Sequence, residues 1–312
     1  MFFLPFGMNI LEFIKRRRSI LYSVGAVLLW STVATAFKLA LEGLSYEQLL
    51  FYSSLSSTVV LFVILLASGR KKMFSELKGK YILNSLFLGL LNPFLYYMVL
   101  FKAYSLLPAY EAQPLNYTWP IMISLMSALF LKEHLGFKTI MGLVTAFLGV
   151  VVIATRGDVF SLKFHDPEGV ILAVGSSVIW GSYWILNVID KREAPSKLFG
   201  AFLMGTVYSA LYLVLFGSFK VGNPLYIAGA AYVGLFEMGI TFFLWMKGLA
   251  LSKNKARTST LAYLSPFISL IFITLILNEK ISVYSIAGLL LIIGGILYQQ
   301  LDKKLPDKKA AD

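Results

Sequence analysis

The length of the apolar runs constrains this chain more than any other feature. Its hydrophobic residues come in near-unbroken blocks, and about 20 mostly apolar residues are what one helical bilayer crossing requires. Ten such segments lie near residues 20–41, 46–68, 81–107, 109–131, 138–155, 168–189, 196–216, 224–250, 256–277 and 282–300. The third and eighth are long enough to tilt or protrude. Backbone polar groups in lipid must be satisfied internally, and segments of this length do so as helices. The expected fold is therefore an all-α polytopic membrane protein with ten transmembrane helices. Composition agrees. Of 312 residues, 58% are hydrophobic and only 14% charged, where a soluble domain carries about a quarter charged. This excludes a soluble enzyme, a disordered chain and a nucleic-acid binder, despite the net charge of +12. The absence of cysteine excludes disulfides, thiolate catalysis and cysteine-bound metals. His134 and His165 are too few and too far apart for a metal centre. No metal and no cofactor are expected.

The placement of positive charge gives the topology, because basic residues concentrate on the cytoplasmic side. With the N-terminus inside and ten crossings, the inner pieces hold 21 of the 28 basic residues, clustered at 15–18, 70–80, 132–138, 191–197, 253–257 and 303–309. The outer loops hold only Arg156, Lys163, Lys220 and Lys280, while Lys38, Lys102 and Lys247 fall within segments. The surplus is read as a cytoplasmic-face charge against anionic headgroups. Residues 1–14 are apolar but precede Lys15 to Arg18, whereas a secretory signal places its charge first. They read as a short interfacial helix. The expected location is a multi-pass cell membrane, a prokaryotic inner membrane, with both termini cytoplasmic.

The chain also repeats itself. Val24-Gly25-Ala26-Val27-Leu28-Leu29-Trp30-Ser31 aligns with Val174-Gly175-Ser176-Ser177-Val178-Ile179-Trp180-Gly181. Tyr117-Thr118-Trp119-Pro120 matches Tyr263-Leu264-Ser265-Pro266, and Glu133, Gly142 and Gly149 match Glu279, Gly288 and Gly295. Five segments per half is an odd number, so the halves enter the membrane in opposite directions. Inverted repeats are a plan of secondary transporters, with the substrate site near the midplane between them. The division is then a cytoplasmic segment 1–19, repeat one at 20–155, an outer linker 156–167, repeat two at 168–300, and a basic cytoplasmic tail 301–312.

These paired motifs resemble the drug/metabolite transporter superfamily, in its EamA type with two five-helix repeats. The pattern runs from Lys102-Ala103-Tyr104 through Tyr117 to Pro120, then to Lys132-Glu133-His134-Leu135 and Gly142. Its second copy runs from Lys247-Gly248-Leu249 through Tyr263 to Pro266, then to Asn278-Glu279-Lys280-Ile281 and Gly288. The resemblance covers roughly residues 20–300. Leu115 to Pro120 also resembles the Asn-Tyr-x-Trp-Pro signature of the amino-acid exporter branch, including aromatic amino-acid exporters. The resemblance implies export of amino acids or related amphipathic solutes by alternating access.

Glu237 stands out among the membrane residues because it sits at the middle of the eighth segment. A carboxylate at that depth costs a few kcal/mol or more, so it should face a cavity or a partner. It is a candidate proton carrier or ligand site; the alternative is a protonated structural glutamate bonded to a neighbouring helix. Thr241 at i+4 and Trp245 a turn further are placed on the same face. Asn92 is the equivalent position in the first repeat, with Pro93 beside it and Tyr96 one turn on. Trp30 and Trp180 are paired by the repeat, and Trp184 and Asn187 continue the second face. Trp30 and Trp180 lie about ten residues into their segments, too deep for the interfacial aromatic belt, which leaves cavity lining or core packing. Tyr117 and Tyr263, from the paired motif, complete the binding set. Pro93, Pro120 and Pro266 are candidate hinges, since each proline removes a helical hydrogen bond. Lys38, Lys102 and Glu111 form a candidate outer gate in which one lysine pairs with Glu111; simple snorkelling of the lysines is the competing reading. Glu133 and Glu279 are expected to cap the start of the next helix. The Gly142-x-x-x-Ala146 spacing, followed by Gly149, marks a packing face within the chain or between two copies in a homodimer.

The leading expectation is a secondary transporter of small metabolites, with a small-molecule substrate and the lipid bilayer as partners. Alternatives are a nucleotide-sugar or other metabolite antiporter, a membrane-embedded enzyme, or a lipid-binding scaffold. An enzyme should show several ionisable residues at one depth, and here Glu237 is essentially alone.

Overall fold

The computed structural model describes residues 10–67, 76, 78–132, 135–161, 165–252 and 258–301. Among the described residues the chain is helical, without a strand. In order, the helices are α1 (Ile10–Leu41), α2 (Tyr46–Ala67), α3 (Lys80–Leu106), α4 (Ala109–Asn116), α5 (Trp119–Leu131), α6 (Phe137–Ala154) and α7 (Pro167–Ile189). Then come α8 (Ala194–Phe216), α9 (Leu225–Leu251), α10 (Ser265–Leu277), led by the tight turn Thr260–Leu264, and α11 (Val283–Gln299). Eight of the resulting segments are long and apolar enough to cross a bilayer. The shorter α11 and the broken pair α4–α5 complete the ten. The protein is an all-α polytopic membrane protein.

The fourth segment, read from sequence as one continuous helix, is interrupted at Tyr117 and Thr118, where ψ rises to 2° and −7°. The cause is local. Pro120 has no N–H to donate backwards, and a proline is tolerated in the first turn of a helix, so a new helix starts there. Pro266 opens α10 in the same way, behind its own tight turn. The two long helices are also irregular at matching depths. α3 carries a wide π-turn at Leu90–Leu95, inside which Asn92 leaves helical geometry (φ −145°, ψ 120°) ahead of Pro93. α9 carries one at Gly234–Gly239.

The packing obeys an exchange of the two halves. α1 lies on α9 and α10, and its counterpart α7 lies on α3 and the α4–α5 pair. α2 packs on α8 and α9, and α8 on α2 and α3. The self-paired contacts sit on the pseudo-twofold axis. There Thr58 of α2 and Thr206 of α8 share a hydroxyl hydrogen bond at 2.9 Å. The other self-paired contact, α6 against α11, is built from glycines. A β-carbon at Gly142 would stand 2.5 Å from the Gly295 carbonyl, and one at Gly149 would stand 2.6 Å from the Gly288 carbonyl. Small residues let the backbones touch, where dispersion replaces the hydrophobic drive that lipid cannot supply. The Gly142, Ala146, Gly149 face is thus occupied within the chain. Even the helix ends match: Lys132 after α5 and Asn278 after α10 take left-handed φ of 55° and 54°.

Candidate functional site

Where the halves meet, α1, α3, α4, α5, α7 and α9 enclose a cavity of about 300 Å³. Its wall is largely aromatic. The Trp30 ring lies 5.3 Å from Trp245 and 5.8 Å from Phe242, and Trp180 lies 4.6 Å from Tyr96 and 5.8 Å from Trp184. Among the described residues Glu237 is the acidic residue on this wall, and no lysine or arginine lines it. The Tyr97 hydroxyl donates to Glu237 Oε1 at 3.1 Å, and the Trp30 indole donates to the Glu237 carbonyl at 3.4 Å. Aromatic faces around one carboxylate suit a flat apolar body carrying a cation.

Seven of the expected binding residues line the cavity: Trp30, Tyr96, Tyr117, Trp180, Trp184, Glu237 and Trp245. Asn92, Asn187, Thr241 and Tyr263 are not on its wall. Thr241 is fully buried and its hydroxyl returns to the Phe236 carbonyl five residues back. The π-turn explains this. One extra residue in the turn breaks the i+4 relation with Glu237 and brings Trp245, eight residues on, to an effective seven-residue spacing and hence the same face. Asn187 donates to the Tyr183 hydroxyl at 3.0 Å, behind the wall. Asn92 is 1% exposed within the irregular turn of α3, and the Tyr263 hydroxyl accepts from Gln300 at 2.7 Å. Pro93 packs against Gly205 of α8, leaving no room there for a β-carbon.

The end of the bundle near Leu41 is closed. Phe37, Tyr104 and Gln113, the lining residues at that end, are 2%, 3% and 4% exposed. Above them the corner between α3 and α4 is tied on all sides. Lys38 donates to the carbonyls of Tyr104 and Leu107 at 3.0 and 3.1 Å. Glu279 accepts from the Ala109 and Tyr110 amides at 3.2 and 3.4 Å. Glu111 accepts from Tyr284 at 2.7 Å and from Arg156 at 3.1 Å. The candidate lysine–Glu111 pair is not formed. Arg156, at the end of α6, reaches Glu111 instead; Lys38 serves helix-end carbonyls, and Lys102 pairs with Glu168 at 2.6 Å on a part-exposed surface. Glu279 likewise caps α4 of the other half, not the helix that follows it; its partner Glu133 lies outside the described residues. At the opposite end, Trp119, Trp184 and Trp245 are part-exposed. Beyond them Arg192 is fully enclosed between Asp190 (2.7 Å) and Ser85 (2.7 Å). Burial pushes the Asp190 carboxyl up, but the Arg192 guanidinium and backbone amide outweigh it and hold the group below the usual carboxylate range.

The EamA-like transporter family model matches the chain twice, over residues 17–155 and 167–298. The chain belongs to the EamA-like transporter family. Among its relatives, the uncharacterized transporter YvbV of Bacillus subtilis is 22% identical over 91% of this chain and 92% of its own. The aromatic amino acid exporter YddG of Ancylobacter novellus is 30% identical over 58% of this chain and 63% of its own. A crystal structure of a chain 24% identical in sequence superposes with a TM-score of 0.65, covering 91% of this chain and 96% of that one. This EamA-like protein is a membrane transporter, with a small molecule as substrate and lipid as its surroundings.

Sequence reading of this EamA-like chain missed Phe37, Tyr104, Gln113, Asn116, Trp119 and Phe242, all on the wall. Trp119 stands inside the Asn-Tyr-x-Trp-Pro motif, and Gln113 and Asn116 lie one turn apart in the polar stretch Glu111 to Asn116. That stretch, out of place in an apolar segment, was the available signal. The Tyr97 hydroxyl carried no comparable mark.

Proposed function

We propose that this transporter exports amino acids or related amphipathic solutes by alternating access, as a secondary transporter and not as an enzyme. The observation that carries this reading is the aromatic cavity between the halves with Glu237 on its wall. A carboxylate facing aromatic rings offers an ammonium group both a charge partner and cation–π contacts. The 30% identity to an aromatic amino acid exporter over part of the chain supports the same solute class. Nucleotide sugars fit poorly, because their phosphates call for cations and the described residues of the wall include none. The basic clusters at 70–80 and 191–197 support a cytoplasmic Arg192 end and cytoplasmic termini. In that orientation the sealed Leu41 end is extracellular, and the geometry is inward-facing. The Lys38, Glu279 and Glu111–Arg156 contacts are then the outer gate, broken when the cavity opens outward. The two five-helix repeats, 20–155 and 168–300, are the bodies that rock against each other.

Proteoliposomes test this. Preloaded unlabelled L-phenylalanine should drive counterflow of labelled L-phenylalanine, and an imposed pH gradient should change the initial rate. Rates equal to protein-free liposomes for phenylalanine, tyrosine and tryptophan would overturn the amino-acid reading.

A further inference from the structure

We propose that Gln113 recognises the carboxylate of the transported solute, which makes the cavity selective for amino acids over the amines that lack that group. This rests on the reading of the cavity as the solute site. Gln113 stands on α4 at the closed end of the cavity, 4% exposed, and its Oε1 is buried without a hydrogen-bond partner. Buried polar atoms are nearly always paired, so an orphan on a cavity wall points to a partner that arrives from the cavity. Neighbouring polar groups are already engaged. Asn116 accepts from Tyr96 at 3.4 Å and donates to Ser176 at 2.8 Å, while the Tyr117 hydroxyl donates to the Ala262 carbonyl at 3.4 Å. Gln113 Oε1 is left uncommitted.

The chemistry of the site then sorts an amino acid's head group. Its ammonium goes to Glu237. Its carboxylate is repelled by Glu237 and finds no lysine or arginine among the described residues of the wall. It needs a neutral N–H donor, and a primary amide supplies two. The amide is nearly the same shape in either orientation about its last bond, so it turns Nε2 to a carboxylate without repacking. A hydrogen bond to an ionised group inside a low-dielectric site is also among the stronger neutral-to-charged contacts. An amine without a carboxylate leaves the Gln113 amide unpaired, and discrimination between ligands comes from such unpaired groups.

Calorimetric titration of the purified full-length protein with L-phenylalanine and with 2-phenylethylamine decides the matter. The wild-type protein should bind phenylalanine about tenfold or more tightly than the amine. Gln113→Leu should bring the two within about twofold by weakening phenylalanine alone. Gln113→Glu keeps the shape but adds a negative charge; it should weaken phenylalanine further while the amine holds or tightens, and it serves if the leucine variant does not fold. Equal losses for both ligands, or no change in either variant, would overturn the assignment. If the wild-type protein binds both ligands equally, the carboxylate role fails while the cavity reading stands. If it binds neither, the cavity reading fails and this one with it.

Discussion

A carboxylate halfway along a membrane helix is expensive by about 2.5–3.5 kcal/mol on insertion scales, and the surroundings of Glu237 answer that cost. One oxygen takes the Tyr97 hydroxyl, and the side chain opens on the cavity between the halves. We expect Glu237→Gln to lower affinity for an amine or amino acid by about ten- to a hundredfold, the loss of a charge-assisted bond worth roughly 1.5–3 kcal/mol. The Tyr97 contact survives in the amide, so the fold should hold, and titration of the variant with 2-phenylethylamine reads the loss directly. Unchanged affinity with unchanged exchange and pH dependence would make Glu237 a structural residue. At this scale the sequence speaks for Glu237, Trp30 and Trp180, because a charge in an apolar block and a tryptophan repeated at matching positions are visible without coordinates. It is silent on Thr241 and Asn187. The face of Thr241 is read from a uniform helical period, which the π-turn at Gly234–Gly239 breaks, while Asn187 turns to the Tyr183 hydroxyl on its own regular helix.

Several elements meet through glycines pressed against a neighbouring backbone. Gly234 of α9 presses against the Ser53 carbonyl of α2, Gly89 of α3 against the Ala201 carbonyl of α8, and Gly149 of α6 against that of Gly288 in α11. In lipid, apolar side chains gain nothing by leaving solvent, so close backbone approach supplies much of the adhesion. Gly149→Leu should therefore cost about 3 kcal/mol or more, since its β-carbon would meet backbone and not a flexible side-chain tip. Phe147→Leu, two residues away on the exposed face, should cost little. Thermal unfolding of both variants in detergent checks the contrast, and equal midpoints would show that the crossing tolerates separation. The small-residue spacing of α6 is legible in the sequence. Its partner helix is not, because spacing on one helix does not say which surface it meets. The same limit explains Glu279: a capping carboxylate can be recognised from its helix-end position, but only the packing reveals that it caps α4 of the opposite half.

The whole molecule is two halves related by exchange. The paired motifs, the Thr58–Thr206 contact on the axis and the matched left-handed residues Lys132 and Asn278 are one symmetry seen at three levels. Because each half crosses an odd number of times, residues at the two ends of the bundle must lie on opposite sides of the membrane. On the proposed orientation, the basic-rich end is the cytoplasmic one. Lys78, before α3, and Lys220, between α8 and α9, are both exposed and lie at opposite ends. The chain has no cysteine, so Lys78→Cys and Lys220→Cys each introduce one reactive thiol into a silent background. In intact cells an impermeant maleimide should label the Lys220→Cys protein, and label Lys78→Cys only after the membrane is opened. The reverse pattern would turn the protein over, placing the sealed end of the cavity in the cytoplasm and making the present geometry outward-facing. Labelling of both from outside would break the inverted plan itself, because an odd number of crossings per half leaves no way for the two loops to share a side.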